Sequence, residues 1–264
     1  MTGDAPRIVN RVHRTLPAIV HAPGTSDESP WWPSIRRRVM AGTSRFDLPT
    51  GLAIITWNSG SPNAIVSRRG HPLGTFERSL DHRGLPYTVL GRDRGSEWTN
   101  RMKLDLTLEF LAGTQAELIL GADSSDVLLI LPPAVIVARF NQQPAPVLFN
   151  AEKNPWPREA APIFPFERMV APRPFHYLNS GLWIGRRQAL IEAFTEARRW
   201  ADRLTAKPDS DQICWKYAYR ELHPQIGIDA RCAVFQCLNQ VRTEIEVDGL
   251  RWPRLSWLTG RRPE

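Results

Sequence analysis

The sequence predicts an α/β domain with a mostly parallel central sheet flanked by helices. Two patterns lead there. From Leu52 onward, short apolar runs rich in β-branched residues alternate with segments of helical periodicity, the order that builds parallel sheets with helices on their faces. One of those runs, Glu117–Leu120, ends in Gly-Ala-Asp-Ser-Ser-Asp before a second run at Val127–Leu131. That puts an acidic turn at the strand edge where such sheets hold ligands.

The elements follow in order. Leu52–Trp57 reads as a buried strand, and Leu73–His82 as a helix with Phe76 and Leu80 on one face. Tyr87–Leu90 is a second strand, and Trp98–Leu111 a helix whose apolar stripe is Met102, Leu106 and Phe110. Val147–Phe149 is a further strand, followed by a proline-rich loop from Pro155 to Pro174. Tyr177–Gly185 reads as strand, turn, strand. Arg187–Leu204 is an amphipathic helix with Leu190, Ile191, Phe194 and Ala197 on its stripe, and Asp211–Leu222 is another helix. Residues 1–47, with five prolines and the triplet Arg36-Arg37-Arg38, form a partly irregular N-terminal arm that wraps the domain or is partly mobile. Residues 48–264 form a single domain with no visible boundary or repeat.

Composition narrows the function. In 264 residues there are 34 basic and 27 acidic side chains, a formal charge of +7, and only four of the basic residues are lysines. Arginine grips phosphates and carboxylates with a planar fork, so an anionic partner fits; the alternative is a GC-rich genome that writes Arg for Lys. Neither a membrane-spanning apolar run nor a signal peptide is present, and the three cysteines form no CxxC pair; together these place the protein in the cytoplasm. Glycine-rich phosphate loops, nucleophile elbows and nucleic-acid motifs are absent. His71, His82, His176 and His223 lie in separate segments with no second ligand at helical spacing and read as structural.

Four segments carry candidate chemistry. Asp123 and Asp126, three apart in a tight turn, suit one hard cation that clamps a diphosphate, or an Asx-type turn without metal. Asn179-Ser180-Gly181 either aims an amide at a sugar hydroxyl or makes a tight hairpin turn. Asp209-Ser210-Asp211-Gln212 opens a helix, as an N-cap or as the site of a carboxylate near a reacting carbon. Trp156, between Pro155 and Pro157, is a rigid aromatic face that stacks on a sugar or packs on the core.

In this order the motifs resemble the glycosyltransferase domain of the procollagen lysyl hydroxylase and collagen glucosyltransferase family. The resemblance runs over about residues 50–238. It is carried by the first strand ending at Trp57, by Phe76-Glu77-Arg78-Ser79-Leu80, and by Gly95-Ser96-Glu97-Trp98 followed by Lys103. The acidic turn, Phe149-Asn150-Ala151-Glu152 with Trp156-Pro157, and Tyr177 to Gly181 continue it. Ser210-Asp211-Gln212, Ile228-Asp229 and Val234-Phe235-Gln236 complete it.

The resemblance implies a GT-A-like fold and transfer of a sugar from a UDP-sugar, with Mn2+ or Mg2+, to a sugar, peptide or small-molecule acceptor. A catalytically weak or inactive nucleotide-sugar-binding protein of the same fold is the alternative, and nucleic acid is not an expected partner. On this resemblance Asp123 and Asp126 are the metal ligands. Trp57, Asn58, Lys103 and Ser124 lie on the nucleotide side, and Trp156 borders the sugar or acceptor. Asp211, Asn179 and Glu152 are the catalytic candidates, with Asp211 and Asn179 facing the donor sugar and Glu152 bordering the sugar or acceptor. Two departures stand out. Ser210 replaces the first aspartate of the family's D-D-Q, and the family's late metal-binding histidine is missing, because residues 255–262 read Leu-Ser-Trp-Leu-Thr-Gly-Arg-Arg. Either the metal site is two carboxylates plus the diphosphate, or Arg261 and Arg262 neutralise the phosphates in place of the missing ligand.

Overall fold

The structure is a computed structural model that describes residues 5–24, 29–60, 73–205 and 209–251. Its centre is a six-stranded sheet. In chain order the strands are β3 (Leu52–Trp57), β4 (Thr88–Leu90), β5 (Leu118–Asp123), β7 (Val147–Glu152), β8 (Tyr177–Arg186) and β9 (Ile226–Ile228). In space they run β4-β3-β5-β8-β7-β9. Five share one direction and β8 opposes them, pairing antiparallel with both β5 and β7. The mostly parallel α/β sheet expected from the sequence is therefore present.

Both faces of this sheet are covered, which is why its strands read as nearly continuous apolar runs. Successive residues split between the faces: Ile55 and Ile119 join one core, Ile54 and Leu120 the other. The first core is closed by α3 (Met102–Gly113), α6 (Arg187–Arg203) and α7 (Asp211–Leu222). The second is closed by α2 (Thr75–Arg83) and α4 (Pro133–Phe140), together with the small sheet β10-β2-β6, which comprises β2 (Ile19–His21), β6 (Val127–Leu129) and β10 (Phe235–Cys237).

Several elements differ from their sequence reading, each for a local reason. In α3 the buried face is Lys103, Leu104, Thr107 and Leu111, while Met102, Leu106 and Phe110 are only half-buried. Polar contacts turn the helix: Lys103 reaches Asp123, and Thr107 accepts a hydrogen bond from the Trp57 indole. The segment 155–174 is not a plain loop but holds a 3-10 turn (Arg158–Ile163) and α5 (Phe164–Val170). Tyr177–Gly185 is one strand, not a hairpin. It bulges where its register to β7 jumps from Phe149↔Trp183 to Asn150↔Asn179, so the expected Asn-Ser-Gly turn is the bulge itself.

The N-terminal arm wraps onto the domain. β1 (Ile8–Asn10) pairs antiparallel with β11 (Ile245–Val247), β2 is the middle strand of the small sheet, and α1 (Trp32–Ala41) buries Trp32, Ile35 and Val39 in a third core.

Candidate metal and nucleotide-sugar site

The carboxyl ends of the central strands converge on a cleft of about 620 Å3. Asp123 is the last residue of β5. The chain crosses from there to the small sheet through Ser124, Ser125 and Asp126, so the acidic turn bridges two sheets. β2 pairs with β6 in the register His21↔Val127, which sets the His21 imidazole beside the turn. One ligand atom from each of His21, Asp123 and Asp126 lies within 4.8 Å of the others. His21 Nε2 is 3.4 Å from Asp126 Oδ1, an ion-pair contact between two buried atoms that have no hydrogen-bond partner elsewhere. Two carboxylates and an imidazole suit a first-row divalent ion, so the residues present fit one.

The β8 bulge completes the wall. A Cβ on Gly181 would sit 2.4 Å from His21 Cε1 and 2.6 Å from Asp123 Oδ2, so no larger residue fits between these two side chains. Asn179 Oδ1 accepts the Gly181 N–H at 3.1 Å and holds the bulge closed.

Charge is concentrated around this point. Lys103 Nζ lies 2.6 Å from Asp123 Oδ1 and over the Trp57 ring. Burial alone would lower its pKa, but the Asp123 and Asp211 carboxylates outweigh that and raise it, keeping the ammonium charged. Asp211, in the first turn of α7, has its pKa raised, chiefly by burial and also by nearby Asp123. Glu152, at the end of β7, is fully enclosed, and burial pushes its pKa up to about 7 against the opposing pull of Lys216 and of hydrogen bonds from Gln212 and Asn179. Gln212 Nε2 donates to Glu152 Oε1 at 2.8 Å and to the Trp156 carbonyl at 2.9 Å, tying the α7 start to the cleft rim. Behind the turn, buried Glu77 accepts from Asn58 Nδ2 at 2.7 Å and from Ser124 Oγ at 2.6 Å.

Ten residues singled out from the sequence thus line one cleft: Asp123 and Asp126 at its acidic turn, together with Trp57, Asn58, Lys103, Ser124, Glu152, Trp156, Asn179 and Asp211. Trp156 is half-exposed at the rim, at 49%. Arg261 and Arg262 lie outside the described residues, as does His71. Ser210 occupies the N-cap of α7 but its side chain makes no capping hydrogen bond. His21 was missed by sequence reasoning. Its signal was the run Ala18-Ile19-Val20-His21, a short β-branched strand hidden between Pro17 and Pro23. Glu77 and Gln212 belong to the sequence motifs without standing out as site residues, yet they position Asn58, Ser124 and Glu152.

This fold and cleft define a glycosyltransferase-like α/β domain. The chain belongs to the PLOD GT domain family, whose model matches residues 64–251. It is also 29% identical over 153 residues to procollagen-lysine,2-oxoglutarate 5-dioxygenase 1 of Mus musculus. That match takes in 54% of this chain but only 19% of the mouse protein, so the chain spans a small part of that relative's length. His21 lies outside the residues matched by the family model.

Proposed function

We propose that the chain is a metal-dependent glycosyltransferase that moves a sugar from a UDP-sugar to an acceptor hydroxyl. The observation that carries this reading is the convergence of His21, Asp123 and Asp126, whose ligand atoms lie within 4.8 Å of one another at the carboxyl edge of the sheet. A divalent ion held by these three side chains, Mn2+ or Mg2+, would offset the charge of the donor's diphosphate.

The chain's own residues account for the rest. In the reaction the acceptor oxygen bonds to the anomeric carbon while the bond from that carbon to the β-phosphate oxygen breaks, and UDP departs with the electron pair. Lys103, kept cationic by Asp123, holds the acidic turn in place and adds positive charge where the leaving group grows negative. Asp211 and Asn179 face the sugar, where a carboxylate favours an oxocarbenium-like centre. Glu152, with its pKa near 7, is suited to take the acceptor's proton at neutral pH. Trp57 and Asn58 flank the nucleotide side, and Trp156 offers an exposed ring face at the rim.

The test is UDP release from a panel of UDP-sugars with and without Mn2+. Metal-dependent release that Asp123→Ala abolishes is the expected result. Binding of UDP with Mn2+ but no release from any donor would instead indicate a nucleotide-sugar-binding protein without turnover, a reading prompted by Ser210 standing where the family has a carboxylate. Neither binding nor release would overturn both.

A further inference from the structure

A second cavity of about 580 Å3 adjoins the cleft and shares Pro23 and Asn239 with it. Its volume is that of a small-molecule site. Its lining has a different chemistry. Four carboxylates line the first cleft, whereas none is found among the described residues of this cavity: its polar side chains there are the buried Ser29, the half-buried Asn239 and the exposed Gln240 and Arg242. Ser29 is 5% exposed and its Oγ has no hydrogen-bond partner, which leaves a buried hydroxyl unsatisfied. Arg242 makes no ion pair among the described residues.

The walls are fixed from outside. The Arg242 backbone is held at both ends, its N–H donating to Glu244 Oε2 at 2.9 Å and its carbonyl accepting from the Trp31 indole at 3.1 Å. Lys153 donates to the Gln240 carbonyl and pairs with Glu244. Lys153 directly follows Glu152, so the end of β7 puts Glu152 in the first cleft and Lys153 behind the wall of the second.

We propose that this second cavity is the acceptor subsite and that it takes a polyhydroxyl acceptor bearing a carboxylate or a phosphate. The proposal rests on the glycosyltransferase reading for the role of the neighbouring cleft. Ser29 and the amides of Asn239 and Gln240 offer hydrogen bonds to hydroxyls, and the Arg242 guanidinium pairs with the anion. With UDP occupying the first cleft, an acidic acceptor is retained in the second cavity by this pair.

The experiment measures binding to the chain already saturated with UDP and Mn2+. The probes are methyl glucuronide, glucose 6-phosphate and methyl glucoside, followed by calorimetry or saturation-transfer NMR. The acidic probes should bind about tenfold or more tighter than methyl glucoside, as a charge-assisted pair implies. Which of the two acidic probes binds tighter decides between carboxylate and phosphate. Arg242→Gln should reduce both to the level of the neutral sugar, and Arg242→Glu should reduce them further. A retained thermal shift with UDP and Mn2+ in each variant shows that the donor cleft is intact. Equal binding of acidic and neutral probes, no binding of the acidic ones, or a preference that survives Arg242→Gln overturns the proposal. Absence of the UDP shift in the unaltered chain counts instead against the glycosyltransferase reading.

Discussion

Nε2 of His21 and Oδ1 of Asp126 form a buried ion-pair contact across 3.4 Å, and neither atom has a hydrogen-bond partner elsewhere. The two residues come from distant parts of the chain and meet because β2 lies against β6 in a fixed register. An imidazole thus reaches the acidic turn from the N-terminal arm. The arm is therefore part of the candidate site as well as packing against the third core.

Gly181→Ala tests how closely this site is packed. The new methyl would overlap His21 and Asp123, and separating them costs about 1–3 kcal/mol in a well-packed interior. The variant should fold with a lowered Tm and lose its stabilisation by UDP with Mn2+. An unchanged shift would mean that the gap between these side chains is not where the ion sits.

Glu152 makes stability depend on pH. An unfolded glutamate titrates near 4.5 and the folded one at about 7. Between those values the folded state keeps a proton that the unfolded chain has lost, so stability falls as pH rises through that window and is flat above it. Glu152→Gln removes this penalty, which is worth up to about 3 kcal/mol. Urea midpoints at pH 5 and pH 8 should show the variant gaining on the parent at the higher pH, while its transfer activity drops. A difference between the two proteins that does not change with pH would contradict the assignment.

Lys216 and Glu167 form a fully buried pair, with Nζ 2.8 Å from Oε1 and 3.0 Å from the Leu178 carbonyl. The same carboxylate accepts the Leu178 N–H, so the pair anchors the strand just before its bulge. Lys216→Met leaves Glu167 buried without its cation and should cost about 3–5 kcal/mol. Adding Glu167→Leu should restore part of that loss. A double variant no more stable than the single one in urea would contradict it.

The elements that position the cleft were largely legible. Leu52–Trp57 and Asp211–Leu222 have the bounds their periodicity indicates, because the strand is buried on both faces and the helix starts at a polar cap segment. The acidic turn was legible because carboxylates stand out against flanking apolar runs. The α3 stripe was misread because hydrophobicity alone does not anticipate that Lys103 turns inward to meet Asp123. The β8 bulge was misread because Asn-Ser-Gly has the composition of a turn, and only the antiparallel partners on either side keep it in a strand. His21 was not found because its contact with the turn comes from pairing across the whole chain, which no local spacing records.

The central claim is that the arm's histidine and the two aspartates together hold the ion that binds the donor. It is tested most directly by the thermal shift produced by UDP with Mn2+ in the parent chain and in His21→Ala. The account predicts a clear rise in Tm for the parent, a much smaller one for His21→Ala, and none for Asp123→Ala. A full shift in His21→Ala would show that the histidine is not a ligand and would contradict the account.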